Sequence, residues 1–188
     1  MREAFLEKVA SNPVIAAVND VKKFEEALES KCEIIFLLTG SIFNLGTLVE
    51  KARQHEKLIL VHLDLLEGFS RDAISLKYIH DYIHPDGIIT TRNSLVKKAK
   101  ESNIFVIQRL FLLDSLSLKT GIKAIRESKL DAVEVLPGLM PGIIRKIVKE
   151  TRAPLIAGGL IEEKEDVIDC LKAGAIGVSS SNSSIWQL

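Results

Sequence analysis

The feature that most constrains this 188-residue sequence is a repeated alternation of short apolar runs with longer stretches of helical period. Eight such runs occur, and each has the length of a strand rather than of a helix. Because the runs are continuous, they favour strands that are buried on both faces. They lie at Val14–Val18, Ile34–Leu38, Leu58–Leu63, Gly87–Thr90, Ile104–Ile107, Ala132–Leu136, Pro154–Ala157 and Ala175–Val178. The pattern predicts a parallel sheet that is covered by helices.

Stretches of helical period follow the first seven runs, and residues 2–10 form one more ahead of the first run. The seven lie at Val21–Glu29, Leu45–Gln54, Asp72–Tyr82, Ser94–Glu101, Leu116–Glu127, Gly142–Lys149 and Glu163–Ala173. We therefore predict an α/β fold, a compact (β/α)8 TIM-type barrel with a short extra N-terminal helix, in which residues 1–188 form one domain. Typical barrels have about 250 residues, so the loops must be short. An open flavodoxin-like sheet is the alternative, but it would use about five strands.

Charge and cysteine content narrow the class of protein further. Lys plus Arg number 25 and Asp plus Glu also number 25, so any contact with nucleic acid must use a local patch. No apolar run approaches the roughly 18 residues that span a bilayer, and the N-terminus carries no signal-peptide pattern. Cys32 and Cys170 lack metal-ligand spacing and are expected to be reduced thiols. We expect a cytoplasmic protein with no membrane partner, and the oligomeric state stays open.

Small residues follow the seventh and eighth apolar runs, where a barrel of this kind places its phosphate site. Gly158 and Gly159 leave the backbone bare after the seventh run, and Ser179 and Ser180 follow the eighth. A helix that begins after such a turn offers unpaired N–H groups and the positive end of its dipole. These four residues are therefore the predicted phosphate ligands. The alternatives are a tight Gly-Gly turn and serines that cap a helix.

Polar residues also follow or interrupt other predicted strands, at the end where barrels bind their ligands. They are His62, Asp64, Glu67, Arg92, Gln108, Arg109 and Glu134. Alternation along the third strand would place His62 and Asp64 on one face. Asp64 and Glu134 are open to three interpretations: a general acid and base, acceptors for the hydroxyls of a polyol, or structural partners of the arginines. A metal site of His62, Asp64 and Glu134 is a weaker alternative, and we expect no metal and no cofactor.

Two basic clusters lie in predicted helices. One contains Lys97, Lys98 and Lys100, and the other contains Arg145, Lys146 and Lys149. Such clusters are usually solvated helix faces. In a chain without net charge they are also the candidate patches for a nucleic acid.

Six segments together resemble the glycerol uptake operon antiterminators, the glycerol-3-phosphate-responsive regulators of bacteria. These segments are His62–Gly68, Asp86–Thr91, Ile107–Phe111, Asp114-Ser115, Val133–Gly138 and Ile156–Ile161. The resemblance extends from about Pro13 to Trp186. Arg92 stands where the family pattern has lysine, and Ser180 stands where threonine is usual; both changes keep the chemical type.

The resemblance implies a regulator rather than an enzyme. Such a protein senses glycerol 3-phosphate as its effector, binds terminator-containing leader mRNA, and lets transcription of glycerol uptake genes continue. Gly158, Gly159, Ser179 and Ser180 would then take the phosphate. The other polar strand-end residues would either face the hydroxyls, for which Asp64, Glu134 and His62 are best suited, or belong to the network around them. The alternatives are a barrel enzyme for a phosphorylated three-carbon compound or a glycerol phosphodiester, with or without a metal, and a metabolite sensor with a protein partner. The metal-dependent version would use Asp64, Glu67 and Glu134.

Overall fold

Eight parallel strands close into a barrel in sequence order, in a computed structural model that describes every residue from Met1 to Leu188. The strands are β1 (Val14–Val18), β2 (Ile34–Leu37), β3 (Leu58–His62), β4 (Gly87–Thr90), β5 (Val106–Phe111), β6 (Ala132–Leu136), β7 (Leu155–Gly158) and β8 (Gly177–Ser180). β1 pairs with both β2 and β8, so the sheet has no free edge. The predicted (β/α)8 barrel is confirmed, and the open sheet is not found.

Eight α-helices accompany the strands. They are α1 (Arg2–Ser11), α2 (Phe24–Glu29), α3 (Leu45–Gln54), α4 (Ala73–Tyr78), α5 (Asn93–Glu101), α6 (Ser115–Glu127), α7 (Pro141–Thr151) and α8 (Lys164–Lys172). A π-helical turn, Ile79–Ile83, continues α4. None of these helices has the length and apolar character required to cross a membrane.

Two apolar cores share the strands between them. The larger one, with 43 buried residues, lies between the strands and the surrounding helices. The smaller one fills the barrel itself, where Ile34, Leu60 and Ile156 pack together. α1 contributes Phe5 and Val9 to this inner core, and the Phe5 ring lies 5.0 Å from that of Phe105. The extra N-terminal helix predicted from the sequence therefore closes the amino end of the barrel.

Two strands extend past the ends predicted for them. The sequence suggested Ile104–Ile107 for the fifth strand, but the Ile104 amide bonds to Ala99 O at the end of α5, and the strand begins at Val106. The eighth strand continues through the serines because Ser179 and Ser180 pair with Ile15 and Ala16 of β1. Backbone pairing, and not side-chain polarity, decides where these strands end, so Gln108, Arg109, Ser179 and Ser180 all lie within strands.

Candidate functional site

A cavity of about 610 Å³ opens at the carboxyl ends of the strands, which is the end that carries the binding site in barrels of this type. Five of the predicted site residues line it: Arg109, Glu134, Gly159, Ser179 and Ser180. Residues at or after the ends of β1, β2, β6, β7 and β8 complete the wall. We refer to this cavity as the mouth of the barrel.

Glu134 is the centre of a buried polar network at the base of the mouth. Its side chain is almost completely buried, and it stands beside Arg109 in the register of β5 and β6. Glu134 Oε1 accepts a hydrogen bond from Ser179 Oγ at 2.6 Å, and Oε2 accepts one from Arg109 Nε at 2.5 Å. A buried carboxylate is tolerable only with such partners. The Nη atoms of Arg109 make no hydrogen bond within the protein, so they are free to meet a ligand.

Gly158 leaves room for this network. A Cβ on Gly158 would lie 2.4 Å from Ser179 Oγ and 2.8 Å from Glu134 Oε1. Both distances are shorter than any real contact of a Cβ atom, so every side chain larger than hydrogen would displace the Glu134–Ser179 pair. A side chain at position 158 would thus point toward the Glu134 carboxylate and the Ser179 hydroxyl. Gly158 itself is not among the residues that line the mouth.

The turn after β7 presents free backbone donors to the mouth. Gly159 and Leu160 both have left-handed backbone conformations, with φ of +76° and +61°. The N–H groups of Gly159, Leu160 and Ser181 have no acceptor within the protein, and all three residues line the mouth. Leu160 is strained in this conformation and is 66% exposed, and such strain collects at functional sites. Converging free N–H groups in a turn form an anion-binding concavity.

The helix ends do not supply this site, which corrects the expectation drawn from the sequence. The start of α8 is occupied by its own acidic residues, because Asp166 Oδ2 accepts hydrogen bonds from Glu162 N and Glu163 N at 3.0 Å. Only a three-residue 3-10 turn, Ile185–Gln187, follows β8. The donors in the mouth are therefore turn amides and not the first turn of a helix.

Ser180 holds the loop after β8 rather than pointing a free hydroxyl at the mouth. Ser180 Oγ donates to Ile161 O at 2.8 Å and accepts from Asn182 N at 3.1 Å. The carbonyl of Ser180 accepts a hydrogen bond from Trp186 Nε1 at 2.7 Å, and this tryptophan is fully buried. The two serine hydroxyls of β8 are thus both engaged in contacts that position neighbouring groups.

His62 lies at the end of β3, is 2% exposed, and its Nδ1 atom has no hydrogen-bond partner. Burial, together with the nearby Arg109 guanidinium, lowers the pKa of His62 from 6.5 to about 4, against the opposing effect of Asp64. The imidazole is therefore neutral at neutral pH.

The other predicted strand-end residues do not meet at the mouth. β3 ends at His62 and a 3-10 turn, Leu63–Leu65, follows, so the strand alternation that would have aligned Asp64 with His62 is broken. Asp64 instead accepts hydrogen bonds from Thr90 Oγ1 at 3.0 Å and from Thr91 N at 2.7 Å, which ties the β3 loop to the end of β4.

Three more of these residues also lie apart from the mouth. Glu67 and Arg92 are exposed, and Arg92 Nε lies 3.7 Å from Asp64 Oδ1. Gln108 is directed away from the mouth, where its Nε2 donates to Asn93. No group of three or more His, Cys, Asp or Glu side chains that could hold a metal ion occurs in the structure.

The two basic clusters differ in how many of their side chains form ion pairs. In α5, Lys98 pairs with Glu101 at 2.7 Å and Lys100 pairs with the buried Asp131 at 2.8 Å, which leaves Lys97 alone without an ion pair. In α7, the side chains of Arg145, Lys146 and Lys149 are all exposed and none forms an ion pair. The α7 cluster is thus the stronger candidate for a polyanion.

Two polar residues after β1 are among the residues of the mouth that the sequence reasoning missed. Asn19 and Lys23 follow β1 and line the mouth beside the β8 loop. The rule that binding residues follow the strands applies to β1 as well. Residues after the first apolar run were passed over because no glycine or buried charge marks them.

Comparison with known proteins identifies a family that matches this chain. The family model described as "Glycerol-3-phosphate responsive antiterminator" matches residues 14–186. The chain is 37% identical over 183 residues to the uncharacterized protein YgcP of Escherichia coli K12, covering 97% of this chain and 96% of that one.

Solved structures give the same result. The glycerol uptake operon antiterminator regulatory protein of Listeria monocytogenes superposes with a TM-score of 0.89 at 35% identity, over 93% of this chain and 95% of that one. An antiterminator-related protein of Thermotoga maritima gives a TM-score of 0.83 at 30% identity, over 93% and 98%. The aldolase QR15, at 13% identity and a TM-score of 0.70, shares the fold alone. With the family pattern matched across almost its whole length, this chain belongs to the glycerol-3-phosphate responsive antiterminators.

Proposed function

We propose that the mouth of the barrel binds glycerol 3-phosphate as an effector, and that the liganded protein binds terminator-containing leader mRNA of glycerol uptake genes. The observation that carries the ligand half of this proposal is the set of free N–H groups at Gly159, Leu160 and Ser181. They lie where barrels of this fold bind phosphate, after β7 and β8. The family relationship supports the choice of ligand and the regulatory role.

The two ends of the ligand fit two parts of the mouth. The phosphate fits the turn amides of Gly159, Leu160 and Ser181, while Gly158, Ser179 and Ser180 shape the wall behind them. The glycerol hydroxyls fit the Arg109–Glu134 side, where Arg109 has unused donors and Glu134 has lone pairs beyond its two bonds. His62, as a neutral buried imidazole, keeps this end of the barrel free of a further charge.

We infer that Asp64, Glu67, Arg92 and Gln108 act as loop supports rather than as ligand contacts. Asp64 ties β3 to β4, Gln108 is directed toward α5, and Arg92 lies on the rim near Asp64. A loss of ligand affinity on mutation of these residues would then come with a loss of stability.

The RNA half of the proposal assigns the contact to α7. Its three unpaired cations, Arg145, Lys146 and Lys149, follow β6, the strand that carries Glu134. A ligand that binds Glu134 is therefore connected to this helix through β6 and the loop that joins them. Cations that meet phosphates release counterions, and this makes RNA affinity fall with salt. Such a role belongs to the cytoplasm. The two cysteines fit that compartment because both are free thiols, and burial raises the pKa of Cys32 and of Cys170 to about 11.

Three observations favour a regulator over the barrel enzyme. Hydrogen bonds from Arg109 and Ser179 fix the two oxygens of Glu134, an arrangement that suits a hydrogen-bond acceptor rather than a group that takes up and releases a proton. No lysine is buried in the barrel, where a Schiff-base mechanism would need a desolvated amine. The Asp64, Glu67 and Glu134 set required for the phosphodiesterase is not brought together.

One experiment separates the three candidate functions. Calorimetry with glycerol 3-phosphate is combined with a gel shift of a terminator-bearing leader RNA, with and without the ligand, and a scrambled RNA serves as control. We expect ligand binding and a ligand-dependent shift of the leader RNA only. Ligand binding without any RNA shift would favour a sensor with a protein partner. Turnover of the ligand or of a glycerol phosphodiester would favour the enzyme.

A further inference from the structure

Lys23 lines the mouth, and none of the contacts described so far gives its positive charge a role. It lies in the 3-10 turn after β1, and this turn is fixed because Asp20 Oδ1 accepts a hydrogen bond from Lys22 N at 3.0 Å. The next residue, Phe24, is 1% exposed and anchors the start of α2. The backbone that carries Lys23 is therefore held on both sides, while its side chain extends over the mouth.

The ammonium group of Lys23 has no carboxylate partner. Lys23 forms no ion pair, and the only hydrogen bond of its ammonium group is a long one, from Nζ to Ser181 O at 3.4 Å. This contact crosses the seam where β1 meets β8. It places the cation next to Ser181, one of the residues whose N–H group is free.

Four charged side chains line the mouth, namely Lys23, Arg109, Glu134 and the exposed Glu162, and Lys23 is the cation among them that forms no ion pair. Arg109 is neutralised by Glu134 within the buried network, and Lys23 stands on the opposite wall near the turn amides. Amides orient an anion but carry no net charge, so a dianionic phosphate next to them lacks a counter-charge. Lysine is a compact, mobile point charge that commonly serves phosphate in this way.

We infer that Lys23 contacts the phosphate of the ligand and closes the site from the β1 side, so that the anion links the first and last strands of the barrel. The inference rests on the proposed function, since the ligand is the same phosphomonoester. The phosphate would then also be contacted from the β1 side of the mouth. The charge of Lys23 would favour phosphorylated polyols over neutral ones.

The test uses titration calorimetry with glycerol 3-phosphate and with inorganic phosphate on four proteins: the wild type, Lys23→Gln, Lys23→Arg and Lys22→Gln. Lys22 is the matched control, because it is an exposed lysine of the same turn that does not line the mouth. A charge-assisted hydrogen bond is the contact that Lys23→Gln removes, so we expect affinity to fall by about tenfold to a hundredfold for both anions. Lys22→Gln should bind as the wild type does, and Lys23→Arg should recover most of the loss.

The melting temperature of each ligand-free protein is measured as well, because replacing a lysine that only supports the structure would lower it. Equal melting temperatures for the wild type and Lys23→Gln, together with the affinity loss, support the assignment. Wild-type affinity in Lys23→Gln would overturn it while leaving the proposed function intact. A wild-type protein that binds neither anion would overturn both.

Discussion

The carboxylate of Glu134 occupies the space that a side chain on residue 158 would need: a Cβ there would lie 2.8 Å from Glu134 Oε1. The glycine of β7 and the glutamate of β6 are therefore a matched pair, and the Ser179 hydroxyl completes the fit from β8. The Gly-Gly sequence thus has two separate roles, because Gly158 makes room for Glu134 and Gly159 forms the turn.

Gly158→Ala should destabilise the protein and weaken ligand binding. The added methyl group must displace Glu134 or Ser179, and overpacking of this kind costs about 1–3 kcal/mol. Gly46→Ala is the control, since a Cβ there has nothing within 4 Å, and in α3 it should stabilise by about 0.5–1 kcal/mol. Urea unfolding of both variants measures the two effects. Equal stability of the two variants would contradict the steric account.

Glu134→Gln should reduce the free energy of unfolding by about 3–5 kcal/mol, because it leaves the buried Arg109 guanidinium without its counter-charge. Glu101→Gln removes a carboxylate from the exposed pair with Lys98 and should cost about 1 kcal/mol or less. Chemical denaturation of the two variants compares them directly. A small effect at Glu134 would mean that Arg109 finds another partner.

Stability should fall as the pH is lowered from 7 to 4.5, with His62 as a main contributor. The pKa of His62 is about 4 in the folded protein and about 6.5 in the unfolded chain, so the unfolded state binds the proton first. The contribution is complete above pH 6.5 and is lost as the pH falls toward 4, a change of about 2–3 kcal/mol.

Unfolding curves of His62→Gln and His80→Gln across this pH range measure the His62 contribution. His62→Gln should show the shallower dependence on pH, and His80→Gln, which replaces a histidine outside the barrel, should follow the wild type. Parallel curves for all three proteins would exclude His62 as the titrating group.

Neutralising the α7 cluster should weaken RNA binding and its dependence on salt, while ligand affinity stays as in the wild type. The triple variant of Arg145, Lys146 and Lys149 to Gln removes three cations, so the slope of log affinity against log salt should fall by about 2 for single-stranded RNA. The control triple of Lys77, Lys98 and Lys123 to Gln has the same net charge, but each of these lysines already pairs with a carboxylate. Filter binding at several salt concentrations distinguishes the two variants, and equal slopes would remove α7 from the RNA surface.

Ligand and RNA should each tighten the binding of the other by the same factor, since coupling between two binding equilibria is reciprocal. RNA affinity measured with and without saturating glycerol 3-phosphate gives one factor, and calorimetry of the ligand with and without RNA gives the other. Two unequal factors would show that the measurements include a further process, and two factors of one would remove the coupling.

The fold could be predicted from the sequence because the length and period of the apolar residues in each segment indicate whether it is a buried strand or a helix with one buried face. Strand ends were harder to predict, since the serines of β8 and the Gln108–Arg109 pair look like loop residues yet complete backbone ladders. The sequence placed the candidate phosphate turn after β7, where the structure has free turn amides, but it attributed the donors to the start of a helix. Pattern alone could not show that Asp166 already occupies the start of α8, or that Gly158 faces Glu134.

Two other site residues show what cannot be predicted when each β-strand is considered separately. Asp64 was assigned to the same face as His62 by alternation, but a 3-10 turn begins one residue before it. Lys23 could not be connected to Ser181, 158 positions away, until the closure of β1 onto β8 placed them together. Contacts across the seam of a barrel depend on topology, which no local pattern reports.

The helix that fills the amino end of the barrel has a kinetic consequence. Phe5 and Val9 of α1 are almost fully buried against the inner core, so a small molecule can reach the mouth only from the carboxyl side and must leave by the same route. A macromolecule that covers the mouth therefore slows ligand arrival and ligand release together, whatever it does to affinity at equilibrium. The order of addition then matters: a complex assembled without the ligand can acquire it only as fast as the macromolecule detaches.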